Sequence, residues 1–234
     1  MKIALLISGH CRTFVYQEQR IFFEKLIKYL KHFGNCDVYL MLKTDNLMQT
    51  NQGIINLKKI IDVIKPVYSI AFKKWRVNDD NCYYSQMKMI RFLVDKTNQS
   101  YDYYIRIRPE CIIMNLDEIR LNTNMNLCTS RKFDSRGNDA FFIMTNKILK
   151  EWFLNIPIVA MDTSPDYSIF NKCYVEQNIK SGIVRNYKRI NGWNFYHCHL
   201  NIRNYWLPQQ TFQSIPYDIF INKLKNIIHY QEVI

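Results

Sequence analysis

The chain has 234 residues, of which 48% are hydrophobic and 15% aromatic. This composition excludes a disordered protein and supplies enough apolar side chains for a sizeable core. The formal net charge of +12 is compatible with an anionic partner, such as nucleic acid, a phosphorylated small molecule or an anionic membrane surface, and equally with a lysine excess that comes from AT-rich codons. No apolar run approaches the ~20 residues of a membrane-spanning helix, and the N-terminus does not resemble a signal peptide. We therefore expect one domain, residues 1–234, that stays in the cytoplasm.

Seven cysteines are spread along the chain without a CxxC pair. An odd number of scattered cysteines in a cytosolic protein is typical of small apolar side chains and reduced thiols. The sequence therefore favours neither a disulfide framework nor a zinc site.

The first half of the chain alternates apolar strands with amphipathic helices. Strands are predicted at 2–8, 37–43 and 67–72 and within 102–114. A helix is predicted at 15–33, with an apolar stripe of Phe22, Phe23, Leu26, Ile27, Leu30 and Phe33. A second is predicted along the stripe of Ile54, Leu57, Ile60, Ile61 and Ile64, and a third at about 82–96. Strands that alternate with helices in this way predict a parallel sheet with helices on both faces.

The second half is less regular. Strands are predicted at 126–130, 140–145 and 183–190, and helices near 146–154, at 165–179 and from Pro216 onward. No internal repeat or linker divides the chain.

The first strand runs into a small, polar, cationic turn, Ser8-Gly9-His10-Cys11-Arg12-Thr13. Ligands of open α/β sheets bind beyond the carboxyl ends of the strands, and backbone N–H groups at a helix start attract anions. Gly9 would let the main chain approach a phosphate, and Arg12 would form paired hydrogen bonds to it. Because the turn matches neither GxGxxG nor a Walker A motif, a nucleotide site and a plain strand-to-helix connection both remain open.

A second polar pattern lies within the apolar strand "YDYYIRIRPECIIM", where Arg106, Arg108 and Glu110 project from one face. Such side chains are costly to bury without partners, which places them at the carboxyl end of the strand, where Pro109 ends regular pairing. One interpretation is a structural ion-pair network with a neighbouring Asp. The other is arginine for a diphosphate, with a carboxylate for a divalent metal or a sugar hydroxyl.

Two further stretches carry polar groups that suit a site. Asn138 and Asp139 follow a glycine just before an apolar strand, where they would bind a sugar or metal or simply form a turn. His197 and His199 form an HxH pattern among aromatic residues, which suits either a site or packing, since no third ligand lies nearby in sequence.

Taken together, three stretches resemble small glycosyltransferases of the GT-A fold. They are "ALLISGHCRTF", then "YDYYIRIRPE" after a helix that carries Gln86, and then "NDAFFIMT". The resemblance is to short members found in bacteria and large DNA viruses, with the pattern SGxxRTF…YDxxxRxRPD…ND, and it covers roughly residues 2–190. Abundant Asn, Ile, Lys and Tyr would suit an AT-rich viral genome, and the protein would then lie in the host cytoplasm.

The resemblance implies an α/β fold of the GT-A-like, Rossmann type, with a mostly parallel sheet and helices on both faces. Residues of about 1–114 would bind the nucleotide, and about 115–234 would form the acceptor half and a C-terminal helix. The implied activity transfers a sugar from a nucleotide-diphosphate sugar to a hydroxyl of a glycan or other acceptor.

The resemblance also implies roles for particular residues. The donor nucleotide would contact Ser8, Gly9, His10, Arg12, Thr13, Arg106 and Arg108. Asp139 would be the catalytic carboxylate near the acceptor hydroxyl. The diphosphate or the acceptor would be contacted by Asn138, His197 and His199.

A metal cofactor is implied less directly. The family's fourth strand usually ends in a DxD motif, whose last Asp binds Mn²⁺ or Mg²⁺. This chain has no DxD, and Glu110 stands in the matching place. Glu110 is therefore the predicted metal ligand, and Arg12 and Arg108 are the alternative means of neutralising the departing diphosphate.

Two other functions remain as alternatives. The missing DxD is compatible with a non-catalytic relative that binds a nucleotide or glycan. The net charge is compatible with a basic α/β protein that binds nucleic acid, but arginines at strand ends, and not along one exposed face, argue against it.

Overall fold

A computed structural model of the chain describes the residues that follow. They are 1–11, 14, 17–43, 49–50, 53–54, 56–72, 82–109, 111–113, 116, 119, 121, 127–131, 137–151, 153–155, 187–190 and 195–197.

The described residues form strands and helices that alternate through the first half of the chain. The strands are β1 Lys2–His10, β2 Asn35–Lys43, β3 Gln49–Thr50, β4 Gly53–Ile54, β5 Tyr68–Phe72, β6 Tyr103–Ile107, β7 Cys111–Ile113, β8 Leu127–Arg131, β9 Gly137–Thr145, β10 Tyr187–Ile190 and β11 Phe195–His197. The helices are α1 Gln17–Lys31, α2 Leu57–Ile64, α3 Cys82–Asp95 and α4 Asn146–Glu151, and a 3₁₀ turn follows at Phe153–Asn155.

Seven of the strands form one sheet, in the order β10-β8-β9-β6-β1-β2-β5. β6, β1, β2 and β5 are parallel to one another. β9 runs antiparallel to both β6 and β8, and β10 is parallel to β8. The predicted α/β class with a mostly parallel sheet is confirmed.

The sheet buries a separate hydrophobic cluster on each face, because side chains alternate along every strand. On β1, Ile3, Leu5 and Ile7 belong to the cluster under α1 and α2. Ala4 and Leu6 belong to the cluster under α3 and α4. The prediction of helices on both faces is therefore confirmed. Among the described helices, none is both long and apolar enough to cross a bilayer.

Helix α1 buries its predicted apolar stripe and ends where glycine is required. The buried stripe consists of Phe22, Phe23, Leu26, Ile27 and Leu30. Gly34 follows with φ +149°, and a Cβ there would lie 2.1 Å from the carbonyl oxygen of Met1. Asn35 N–H donates to that same oxygen at 2.9 Å, so the helix end is held against the chain start.

Helix α2 differs from its predicted pattern. It begins at Leu57, because the Asn56 side chain caps it by accepting from the N–H of Lys59 at 3.2 Å. Ile54 therefore lies in β4, outside the helix. Ile60 and Ile64 are buried as predicted, but Ile61 is 41% exposed, so its place on the buried stripe was wrong.

The apolar stretch at 102–114 is divided into two strands. Regular pairing stops at the end of β6, and Cys111 N–H donates to the carbonyl of Arg108 at 3.0 Å, which closes a turn before β7. Pro109 lies within this turn and has no N–H to donate. The predicted helices at 165–179 and from Pro216 lie outside the described residues.

A polar cluster around Tyr101 fixes the amino ends of the central strands, far from the carboxyl edge. The Tyr101 hydroxyl donates to Asp37 Oδ2 at 2.7 Å and lies 2.8 Å from the hydroxyl of Tyr39. Gln99 Nε2 donates to both Asp37 Oδ2 and the Tyr101 hydroxyl at 3.0 Å. Burial and, second to it, the hydrogen bond with Tyr39 raise the pKa of Tyr101.

Tyr101→Phe tests this cluster and its pH dependence. We expect a loss of about 1–3 kcal/mol of unfolding free energy at pH 7, because the buried Tyr39 hydroxyl and the half-buried Asp37 carboxylate lose a hydrogen-bond partner. The pKa of Tyr101 is raised in the folded protein, so its contribution is complete below the unfolded value of about 10 and decreases as pH rises above it. The difference between wild type and Tyr101→Phe should therefore shrink above pH 10. Urea unfolding at pH 7, 10 and 11 measures it, and a constant difference would contradict the assignment.

Candidate functional site

The chain reverses its direction of travel across the sheet between β1 and β6. From β1, helices α1 and α2 lead outward to β2 and then β5, and α3 returns the chain to β6 on the other side of β1. In open α/β sheets such a reversal opens a crevice at the carboxyl ends of the two strands, and ligands bind there. Both polar motifs of the sequence, the turn after β1 and the turn after β6, lie at this edge.

The turn after β1 is built on buried anchors. Ser8 is fully buried, and Gly9 has φ +146°, a conformation that favours glycine. Cys11 and Phe14 are buried beyond it, and the Phe14 ring lies 5.2 Å from that of Phe23 on α1. The backbone of His10 belongs to β1, whereas Arg12 and Thr13 lie outside the described residues. The main chain at Ser8 and Gly9 is thus held rigidly where β1 ends.

Arg106 supports this turn from within the protein. Its side chain has no exposed surface. Its Nε lies 3.5 Å from Ser8 Oγ, and its Nη2 lies 3.4 Å from the Ser8 carbonyl oxygen. Arg108, two residues later, is 9% exposed and so lies nearer the surface. Ile105 and Ile107 both belong to the hydrophobic cluster under α1 and α2. The alternation of side chains predicted for this strand is therefore confirmed at these two positions.

The turn after β6 is fastened to helix α1 by Gln19. This side chain is fully buried, and its Nε2 donates to the carbonyls of Pro109 at 2.8 Å and Cys111 at 3.1 Å. Glu110, between these two residues, lies outside the described set. Gln19 Oε1 is buried and accepts no hydrogen bond in the described part of the chain, which costs about 1–3 kcal/mol for an acceptor of this kind.

Gln19 was missed by the sequence reasoning, although a signal for it exists. It precedes Phe22 by three positions and Phe23 by four, so it stands on the apolar stripe of α1. A polar residue on a buried helix face needs a partner, and here the partner is a turn 90 residues away in sequence.

Two later segments reach the same edge through strand pairing. β9 pairs with β6 through Ile107 and Phe141, so the preceding backbone, with Asn138 and Asp139, extends past the carboxyl end of β6. In β11, His197 pairs with Cys111, the first residue of β7. His199 lies outside the described residues. The fold thus brings the backbones of four predicted site segments to one edge of the sheet.

The described residues contain no group of three His, Cys, Asp or Glu side chains that could hold a metal ion. Among the described residues, strand register brings the carboxylate-bearing Asp139, at the start of β9, to this edge, and Glu110 follows Pro109 in the sequence. Their donor atoms are carboxylate oxygens, which suit hard cations such as Mg²⁺ and Mn²⁺.

Comparison with known proteins identifies the fold. No protein-family model and no curated protein matches the sequence. The catalytic domain of Drosophila β1,4-galactosyltransferase 7, in complex with xylobiose, is similar with a TM-score of 0.50 and 12% identity, over 91% of this chain and 76% of that one. The inositol-1-phosphate CTP transferase from T. maritima is similar with a TM-score of 0.50 and 9% identity, over 97% and 96%.

A third similar structure is a glycosyltransferase involved in glycosylation of the major capsid of PBCV-1, with a TM-score of 0.45 and 8% identity, over 97% of this chain and 98% of that one. At these identities the likeness concerns the fold. The chain therefore has the GT-A-like, Rossmann-type α/β fold that the sequence predicts, and its structural neighbours are transferases.

Arg106→Met tests the support beneath the first turn. We expect the free energy of unfolding to fall by about 1–2 kcal/mol, because hydrogen bonds from a charged group contribute about 1.5–3 kcal/mol at ordinary distances and these two contacts, at 3.4 and 3.5 Å, are long. Ser8→Ala keeps the carbonyl acceptor and removes only the contact at 3.5 Å, so its cost should stay below about 1 kcal/mol. Urea unfolding of both variants measures this, and an Arg106→Met protein as stable as wild type would overturn the assignment.

Proposed function

We propose that the protein is a glycosyltransferase that transfers a sugar from a nucleotide-diphosphate sugar to a hydroxyl of a glycan or other acceptor. The observation that carries the proposal is the reversal of chain direction between β1 and β6, with a glycine turn and an arginine-bearing turn at the carboxyl ends of these two adjacent strands. A nucleotide diphosphate needs close approach of the main chain and cationic donors, and this edge supplies both.

In this proposal the two turns bind different parts of the donor. The main chain from Ser8 to His10 lies against the nucleoside, where Gly9 leaves room for it. Arg12, Thr13 and Arg108 bind the phosphates. Arg106 acts through Ser8, since its own side chain is fully buried.

Glu110 would hold Mn²⁺ or Mg²⁺ at this edge. The cation, when bound, supplies positive charge against the diphosphate. The chain's own contribution is to place the oxygen ligands, since Pro109 and Cys111, on either side of Glu110, are both held by Gln19.

Transfer of the sugar requires a departing diphosphate and deprotonation of the acceptor hydroxyl. Asp139 stands at the start of β9, past the end of β6, and is the proposed general base for that proton. Asn138 and His197, whose backbones reach the same edge, contact the diphosphate or the acceptor, and His199 is proposed with them. Water must be kept from the sugar, or the donor is hydrolysed.

Donor binding is tested by thermal shift with a panel of nucleotides and nucleotide sugars, with and without Mn²⁺. A ligand at 100 times its Kd should raise Tm by about 5 °C or more for a chain of this size. Glu110→Gln should remove the increment that Mn²⁺ adds. Glu24→Gln, at an exposed position on α1, is the matched control and should leave it unchanged. No shift with any nucleotide, in either condition, would contradict the proposal.

Asp139→Asn tests catalysis separately from binding. We expect the rate of sugar transfer or donor hydrolysis to fall at least 100-fold, because general-base catalysis contributes about 10²–10⁴-fold, while donor affinity stays within about threefold. Asp95→Asn, at the exposed end of α3, is the control. A wild-type protein that binds the donor but neither transfers nor hydrolyses it would instead be a non-catalytic relative.

A further inference from the structure

Gln19 connects helix α1 to the turn after β6. It belongs to α1, the helix that follows β1 in the chain. Its amide reaches the turn after β6 and donates to two carbonyls there, at 2.8 and 3.1 Å. The side-chain amide of Gln19 therefore donates both of its N–H groups to the same turn.

The turn that Gln19 contacts, Arg108–Cys111, is also restrained by backbone contacts. It is closed by Cys111 N–H, which donates to the carbonyl of Arg108 at 3.0 Å. Cys111 then starts β7, where it pairs with His197 of β11. Glu110 is the residue between the two carbonyls to which Gln19 donates, so the backbone on both sides of it is fixed to α1.

Burial shows that this contact is made inside the protein. Gln19, like Cys111, has no exposed surface, and Pro109 is buried. Gln19 Oε1 is buried as well and accepts no hydrogen bond among the described residues. A methionine would fill a similar volume without this unsatisfied acceptor, so packing alone does not account for a glutamine here.

We propose that Gln19 is a positioning residue, which fixes the Arg108–Cys111 turn to α1 so that the turns after β1 and β6 keep one spacing. Its effect on the donor operates through Glu110 and Arg108, and in that respect it rests on the proposed function. Its effect on the turn is independent of the proposed function.

The experiment uses Gln19→Met, which keeps the volume and removes both donors, and Gln19→Glu, which keeps the length but has at most one donor, the O–H of a protonated carboxyl. Leu26→Ala is the control, because Leu26 is equally buried on α1 but belongs to the apolar stripe. Amide hydrogen exchange at Cys111 is measured first, as a protection factor relative to that of the most protected amides of β1. The Mn²⁺-dependent part of donor affinity is measured second, well below the Tm of each variant.

We expect both Gln19 variants to lower the protection of Cys111 at least tenfold relative to β1, and Leu26→Ala to leave this ratio within about threefold. We expect the Mn²⁺-dependent donor affinity to fall about 10–100-fold in the Gln19 variants, as is typical when a residue that orients a ligand is removed, and to stay within about threefold in Leu26→Ala.

Two results would overturn the inference: unchanged Cys111 protection in both Gln19 variants, or unchanged affinity in them while Glu110→Gln loses it. Failure of the proposed function is seen separately, as a wild-type protein that binds no donor. In that case the exchange at Cys111 still decides whether Gln19 fixes the turn.

Discussion

The central constraint on this fold is the burial of β1, which pairs in parallel with β2 on one edge and β6 on the other. Residues Ile3–Ser8 have no exposed surface, and helices cover both faces. Every peptide group along such a strand must therefore bond to a neighbouring strand, which sets the register of the sheet. Because the strand is fixed along its length, Ser8 and Gly9 near its carboxyl end are fixed as well.

Long-range polar contacts then fasten the second motif to the first. Arg106 lies 98 residues from Ser8 in sequence and contacts both its hydroxyl and its carbonyl. Gln19 makes the reciprocal connection, from the helix after β1 to the turn after β6. These contacts lie within the protein, where hydrogen bonds are shielded from water and fix geometry more strongly than at the surface. Arg106 is buried and Arg108 is only 9% exposed, so neither side chain belongs to an exposed basic surface of the kind that binds nucleic acid.

The sequence predicted the elements whose signals are local. The continuous apolar run of β1, the stripe of α1 and the alternation of Ile105 with Arg106 are short-range patterns, and each is confirmed. Features that depend on distant residues were not predictable in this way. The exposure of Ile61 depends on which part of α2 meets the sheet, and the pairing of His197 with Cys111 joins segments 86 positions apart in sequence (197 − 111).

The central claim is that the crevice between the ends of β1 and β6 binds a nucleotide-diphosphate sugar. A crystal structure of the protein soaked with a nucleotide sugar and Mn²⁺ tests it most directly. The account predicts the diphosphate within hydrogen-bond distance of residues 8–13 and of Arg108, with the cation on Glu110. A nucleotide bound instead on the exposed lysines of α1 and α2, such as Lys28 and Lys58, with the crevice empty, would contradict it.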